Sequence, residues 1–281
     1  MRKALLAGLA ALVLVPGGTA GPRPVPAFKH VVVIVFENKE RSSVLGSALT
    51  FDALRSRYAE LAGYRGVTHP SLPNYLALVS GSTQGVTSNC TDCVFRAASL
   101  ADSIERSKRT WKTYAEGLPK TGWTGPGHAR YAKKHNPFLY FANIVAKPAR
   151  RNRIVPLPQL WRDLAARRLP SFSLVVPDLC NSMHDCSVAT GDAWLGDVTQ
   201  RLLASPQLAK SVIFVVFDEG ATAVGGGGET AALAVGPAVR GGSTYAPTVN
   251  HYGLLRTIED AWGLRRLGNS ATARPITGIW K

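Results

Sequence analysis

Residues 30–36 read "HVVVIVF": one histidine, then six consecutive apolar residues, five of them β-branched. A strand with one wet face alternates polar and apolar residues. A run with no polar position marks a strand covered on both faces, as in a parallel sheet with helices above and below. "SFSLVVP" (171–177) and "SVIFVVF" (211–217) read the same way, and "TAALAVG" (230–236) is a weaker fourth. Between them stand patterns at helical spacing: "SLADSIERS", "LPQLWRDLAARRL", "GDAWLGDVTQRLLA" and "YGLLRTIEDAWGL". Strands alternating with helices predict an α/β fold, a mostly parallel central sheet flanked by helices on both faces. With 281 residues and 46% hydrophobic composition, the chain can bury one substantial core. No repeat or long linker divides it, so residues 21–281 read as a single domain.

The first twenty residues stand apart. Arg2 and Lys3 precede the apolar run "ALLAGLAALVLV" and the small-residue exit "PGGTAGP". This is the pattern of a secretory signal peptide, here cleaved near Ala20. An uncleaved anchor is the alternative, and no later apolar run approaches the roughly 18 residues that a membrane span requires. The mature protein is therefore expected to be secreted, either extracellular or in the cell envelope. The four cysteines agree with an oxidising compartment. Cys90 and Cys93 form "CTDC", and Cys180 and Cys186 bracket "NSMHD". Proximity in sequence favours the disulfides Cys90–Cys93 and Cys180–Cys186. A zinc knuckle is the alternative, but the second spacing is wrong for it.

The formal charge is +15, and loss of Arg2 and Lys3 with the leader leaves +13. Such a field attracts anions: phosphate esters, anionic lipid headgroups, wall polymers. "KPARRNR" (147–153) and "AARR" (165–168) concentrate it. No zinc-finger spacing or aromatic–basic RNA signature accompanies them, so nucleic acid is not an expected partner. "AVGGGGE" (223–229) reads as a flexible loop without the Gly-Lys-Ser/Thr ending of a phosphate-binding P-loop. His128 reads as a packing or surface histidine.

In parallel α/β sheets, ligands bind beyond the carboxyl ends of the strands. The first strand ends in Glu37-Asn38. The second ends in "PDLCNSMHD", with Asp178, Asn181, His184 and Asp185, and the third in Asp218-Glu219-Gly220. Ser71 opens the helical pattern in "HPSLPNYLALVSG" (69–81), and His251 opens the last one. Singly, each has an ordinary explanation: a serine can cap a helix, and acids after a strand can charge the next helix's first turn. Together, Glu37, Asn38, Asp218 and Glu219 form an oxygen-rich cluster whose carboxylates would repel one another without a cation. Hard divalent ions take such ligands. A hydroxyl beside one becomes a better nucleophile.

Seven segments keep one order from about residue 30 to about 263: "VVVIVFEN", "HPSLPNYLALVSG", "TWKTYAEGLP", "HNPFLYF", "PDLCNSMHDCSVATGD", "FDEG" and "NHYGLLRTIEDAWGL". In these the chain resembles the bacterial phosphoesterase family of secreted acid phosphatases and phospholipase C enzymes, within the alkaline phosphatase superfamily. The resemblance implies an alkaline phosphatase-like fold and metal-dependent hydrolysis of a phosphate ester. It implies Glu37, Asn38, Ser71, Asp218 and Glu219 as metal ligands, with Ser71 also the nucleophile that becomes a phosphoserine. It places His69, Asn74, His135, Asn136 and Asp185 on the phosphate, and His184 and His251 as catalytic groups on the leaving-group side. Many two-zinc members of the superfamily have Asp-His where this chain has Asp218-Glu219. That departure implies one hard cation (Ca, Mg or Mn), with Zn still open and a second metal at Asp178, His184 and His251 as the alternative.

The leading reading is a small phosphatase of acid-phosphatase type. A phospholipase C-type phosphodiesterase is the alternative within the class. Outside it stands a non-catalytic exported protein that binds anionic wall polymers. An anionic surface or lipid headgroup is a further partner of the first two, and the sequence leaves the oligomeric state open.

Overall fold

The computed structural model describes residues 25–281. The leader expected over residues 1–20 lies outside the described residues. Strand β1 (Val31–Phe36) shows why its sequence has no polar face. Val31, Val33 and Val35 enter a core with Leu72, Tyr75, Leu254 and Ile258, while Val32, Ile34 and Phe36 enter a second one with Phe51, Leu54, Leu195 and Val198. Burying each such side chain is worth about 2 kcal/mol, so neither face can be turned to water.

The remaining strands of the main sheet are β2 (Ala59–Leu61), β3 (Trp111–Ala115), β4 (Ile154–Pro156), β5 (Phe172–Val176), β6 (Val212–Phe217), β7 (Leu233–Val235) and β8 (Ser243–Tyr245). The order is β8-β2-β7-β6-β1-β5-β3-β4. The three strongest apolar runs are neighbours in its middle: Val31 of β1 lies opposite Phe172 of β5 and Val212 of β6, both pairings parallel. The weaker fourth run, β7, pairs antiparallel with both its neighbours. Residues 218–232, which lead into it, contain no helix. Without a crossover the chain comes back along the rim it left by and pairs in reverse.

Helices cover both faces. α1 (Leu49–Arg57), α4 (Pro158–Ala165) and α5 (Val188–Leu203) pack on one, and α2 (Ser71–Ser80), α3 (Leu100–Arg106) and α6 (His251–Trp262) on the other. All ten residues of α2 are buried, matching a sequence apolar on nearly every side. α5 is capped by Ser187, whose side chain accepts from the Thr190 N–H, and α6 by Asn250, which accepts from Tyr252 and Gly253. The basic stretch "KPARRNR" (147–153) is anchored by Arg150. Its guanidinium reaches Asp102 at 2.9 Å, Glu105 at 3.2 Å and the Asn143 carbonyl at 3.2 Å. Cys90–Cys93 and Cys180–Cys186 are both bridged. No helix among the described residues is long and apolar enough to cross a membrane.

Candidate active site

β1 and β6 pair in register as far as Phe36 and Phe217, so Glu37 and Asp218 leave the sheet as neighbours. Both are buried, and the Asp218 N–H donates to the Phe36 carbonyl at 2.9 Å. Ser71 arrives from the start of α2. Pro70 is the N-cap residue and makes no cap of its own, while the Leu72 N–H donates to Asn89 Oδ1 at 3.0 Å. The Ser71 hydroxyl instead donates to Glu37 Oε2 at 3.2 Å. Tyr75, one turn later on the same helix face, donates its hydroxyl to Glu37 Oε1. His135 Nε2 lies 3.2 Å from Glu37 Oε2, and its ring stacks on Tyr75.

The electrostatics are unusual for side chains this deep. Burial pushes the Glu37 carboxyl above its ordinary value, against the pull of the Tyr75 hydroxyl. Burial, then the Glu37 charge, push Asp218 well above its own. Glu219 is raised to about 8 by burial and by Asp218, and burial lowers His135 to about 3. Asp218 Oδ1 accepts from the backbone N–H groups of Asn38 (3.1 Å) and Glu219 (2.7 Å). Its Oδ2 is buried and meets no donor, and the buried His135 Nε2, although close to Glu37, is not aligned for a hydrogen bond.

Crowded acids that resist ionisation, with a carboxylate oxygen and an imidazole nitrogen uncommitted, fit a cation. A divalent charge would stabilise the ionised form of every acid in the cluster. Among the described residues, Glu37, His135 and His184 present ligand atoms within 4.8 Å of one another. Two imidazoles and a carboxylate suit zinc or another transition metal as well as the oxygen cluster suits a harder ion.

Glu37, Ser71, Asp218 and Glu219 thus come together, and Asn38 reaches the cluster through its backbone N–H. Several other expected site residues are held by partners within the chain. Asn74 is buried and committed. Its Oδ1 accepts from Val67 (2.8 Å) and Thr68 (3.1 Å), and its Nδ2 donates to the Thr68 carbonyl (2.6 Å) and Glu219 Oε2 (3.0 Å). It shapes the turn that presents Ser71 and leaves no donor for phosphate. His69 is likewise occupied, Nε2 by the Thr222 carbonyl at 2.8 Å and Nδ1 by Glu219 Oε2 at 3.2 Å. His251 Nε2 holds the Asp218 carbonyl at 2.6 Å while its Nδ1 pairs with the Tyr64 hydroxyl at 2.8 Å. Burial lowers it to about 4, and its ring lies beneath Asp218. Asp178 Oδ1 accepts from the N–H groups of Cys180 and Asn181, both at 2.9 Å. With His251 committed as well, the set Asp178, His184 and His251 is not assembled as a second metal site. Asn136 Nδ2 donates to the Tyr131 hydroxyl at 3.1 Å, which leaves its second N–H uncommitted, and its buried Oδ1 meets no donor. Asp185 is an exposed acceptor whose Oδ1 lies 2.6 Å from His184 Nδ1; it orients that ring.

Two residues escaped sequence reasoning. Tyr75 sits in an apolar helical run and reads as core. Glu116 follows β3 directly. Its Oε2 accepts from the Asp178 N–H and Asn181 Nδ2, both at 3.0 Å, and its Oε1 from the Trp194 indole at 3.3 Å. It ties the disulfide-closed loop that carries His184 to the sheet. The available signal was an acid at a strand end, the one used for Glu37 and Asp218. In the segment 223–229, read as a flexible loop, residues 223–226 and Glu229 are exposed and Gly227 and Gly228 are buried against the chain. Gly220 donates to the Gly227 carbonyl at 2.7 Å and Gly66 to the Gly228 carbonyl at 3.1 Å. A Cβ on Gly66 would lie 2.5 Å from the Gly227 oxygen, so the two backbones touch as only glycines allow.

The model of the phosphoesterase family matches residues 49–265. The chain is 36% identical over 263 residues to a phosphatidylinositol-3-phosphatase of Mycobacterium tuberculosis, across 91% of this chain and 84% of the relative. It is 27% identical over 218 residues to a phosphate-repressible acid phosphatase of Penicillium chrysogenum, across 74% of this chain and 53% of the relative. For an acid phosphatase of Aspergillus fumigatus the identity is 28% over 232 residues, across 76% and 51%. The chain therefore spans about half the length of these two fungal relatives. Among solved structures, a lipoteichoic acid synthase from Listeria monocytogenes superposes with a TM-score of 0.63 at 11% identity, covering 93% of this chain and 78% of the other. A protein of the alkaline phosphatase superfamily from Vibrio parahaemolyticus gives 0.57 at 14% identity, covering 88% and 72%. At these identities the likeness is one of fold.

Proposed function

The chain belongs to the phosphoesterase family and is a hydrolase of phosphoric esters; on that premise we propose that it is a metal-dependent phosphatase of acid-phosphatase type with Ser71 as nucleophile. One observation carries this reading. The Ser71 hydroxyl, at the first residue of a buried helix, makes no cap and donates to a buried carboxyl that neighbours a second buried acid. Glu37 and Asp218, with His135 and Glu219 within the same cluster, would hold the cation. When bound, such an ion stabilises negative charge on the attacking and phosphoryl oxygens.

The remaining steps belong to the chain. Ser71 Oγ attacks phosphorus while its proton follows the existing hydrogen bond to Glu37 Oε2. The bond from phosphorus to the leaving oxygen breaks, and His184, steadied by Asp185, passes that oxygen a proton taken from solvent. The positive end of the α2 dipole lies at Ser71 and favours the negative charge of a phosphoryl group there. Water then attacks the phosphoserine, Ser71 recovers its proton, and phosphate departs. The leader pattern of residues 1–20 and the two disulfides support export. The name of the mycobacterial relative supports a phosphorylated lipid headgroup as the substrate class.

The test is hydrolysis of p-nitrophenyl phosphate by the purified chain, before and after chelation, with single divalent ions added back. Turnover lost to chelator and restored by one ion is the expected result. Turnover indifferent to exhaustive chelation would remove the metal. No turnover of any phosphomonoester would remove the phosphatase reading.

A further inference from the structure

Resting on that phosphatase reading, we propose that Lys134 binds a non-bridging oxygen of the substrate's phosphoryl group and that His184 holds it in place. A phosphate ester carries up to two negative charges into a site lined by Glu37, Asp218 and Glu219. One divalent ion does not balance that many charges, so a further cation is required for the anion to enter. The histidines expected to serve do not supply it. His135 faces Glu37 at 3.2 Å within the cation cluster, and both nitrogens of His251 and of His69 are engaged by the chain.

Lys134 is placed to do so. It is half-buried, immediately before His135, and its charge is felt at both Glu37 and His135. Its side chain meets His184 Nε2 at 3.2 Å, and among the described residues no carboxylate forms an ion pair with it. The preceding lysine shows the contrast. Lys133 is buried, donates to the Thr91 carbonyl at 2.5 Å and lies over the Tyr140 ring, so its role is structural.

The contact with His184 also fixes a tautomer. An ammonium can only donate, so His184 Nε2 is the acceptor. The ring proton is then on Nδ1, where it is donated to Asp185 Oδ1 at 2.6 Å. The series Asp185, His184, Lys134 thus ends in an ammonium with two of its three donors uncommitted. The neutral imidazole acceptor is exchanged readily for an anionic phosphoryl oxygen, which makes the stronger, charge-assisted bond. The exchange frees the His184 Nε2 lone pair, which takes a proton from solvent and passes it to the leaving oxygen.

The experiment compares wild type, Lys134→Met and Lys134→Arg, with inorganic phosphate as the probe. Readouts are the inhibition constant of phosphate against aryl phosphate hydrolysis, KM and kcat separately, and the melting temperature. Lys134→Met should raise the phosphate inhibition constant and KM roughly tenfold to a hundredfold, as expected for one charge-assisted hydrogen bond, at an unchanged melting temperature. Lys134→Arg should recover most of the phosphate affinity. If Lys134→Met folds poorly, Lys134→Gln, which keeps a donor towards His184, carries the same comparison. Equal inhibition constants in wild type and the neutral variant would overturn the proposal and leave the phosphatase reading intact. A wild-type chain that neither hydrolyses the ester nor is inhibited by phosphate would overturn both.

Discussion

Two groups of inward-facing acids in this chain are made of the same residue types and are completed differently. At Asp102 and Glu105, one guanidinium serves both carboxylates, and the remaining lone pairs accept from the Asn143 amide, the Ser99 N–H and the Trp111 indole. Against the cost of burial, the Ser99 N–H and Arg150 hold the Asp102 carboxyl below its ordinary value. At Glu37 and Asp218, among the described residues, no lysine or arginine forms an ion pair and Asp218 Oδ2 meets no donor, and both carboxyls are pushed the other way. An unbalanced buried charge costs several kcal/mol. A fold that balances one group fully and leaves the other open has built the first as architecture and the second for something that arrives from outside.

The largest expected effect is on the open group. Ser71→Ala should lower turnover by at least about a thousandfold while the melting temperature barely moves, because Ser71 caps nothing. A variant that turns over at near wild-type rate would put the nucleophile elsewhere and leave the open acids without a role.

A third buried acid sharpens the contrast, since it is satisfied by hydrogen bonds with its proton still on. Glu259 meets the Leu267 N–H at 2.9 Å and Ser270 Oγ at 2.6 Å, and burial raises it from 4.5 to about 7. Because the folded value is the higher one, its contribution to stability is complete below pH 4.5 and is lost as pH rises through about 7. The loss amounts to about 3 kcal/mol. Glu259→Gln should flatten that part of a urea-denaturation profile against pH, and an unchanged slope would remove Glu259 as its source.

The two acid groups should then respond to neutralisation with opposite signs. Asp102→Ala strands Arg150 on Glu105 alone and opens the start of α3, at a cost of about 2–3 kcal/mol. Asp218→Asn keeps an oxygen for the Asn38 and Glu219 N–H groups and removes the unmatched charge. In chelated protein it should raise stability by about 1 kcal/mol. Urea titration of both variants decides. A destabilised Asp218→Asn in chelator would mean that the open group is complete without a ligand.

The sequence showed the sheet's middle clearly because burial on both faces leaves no polar residue in a strand. It showed β2, β3, β4 and β8 poorly, since these are short or, like "TWKTYA", mixed in polarity. α1, with Asp52, Arg55 and Arg57 on its surface, gave too weak an apolar stripe to register. In the site, Glu37, Ser71, Asp218 and Glu219 were legible because strand ends and a helix start place them regardless of side-chain detail. The histidines were not. Whether His251 faces a ligand or a backbone carbonyl depends on where the Tyr64 hydroxyl and the Asp218 carbonyl fall, and no spacing encodes that. Lys134 and Glu116 were hidden for the same reason: their meaning lies in partners 50 and more residues away in sequence.

Because Gly66 and Gly227 touch backbone to backbone, the segment that delivers Ser71 and the loop that leaves Asp218 shift as one piece. A methyl group at position 66 would wedge them apart and change the spacing of serine and acid without altering either. In a saturation library selected for turnover, positions 66 and 227 should therefore be about as intolerant as the acids themselves. Gly127, where an added Cβ would make an ordinary 3.4 Å contact, should accept many residues. Part of this enzyme's genetic fragility thus sits at positions that have no side chain to lose.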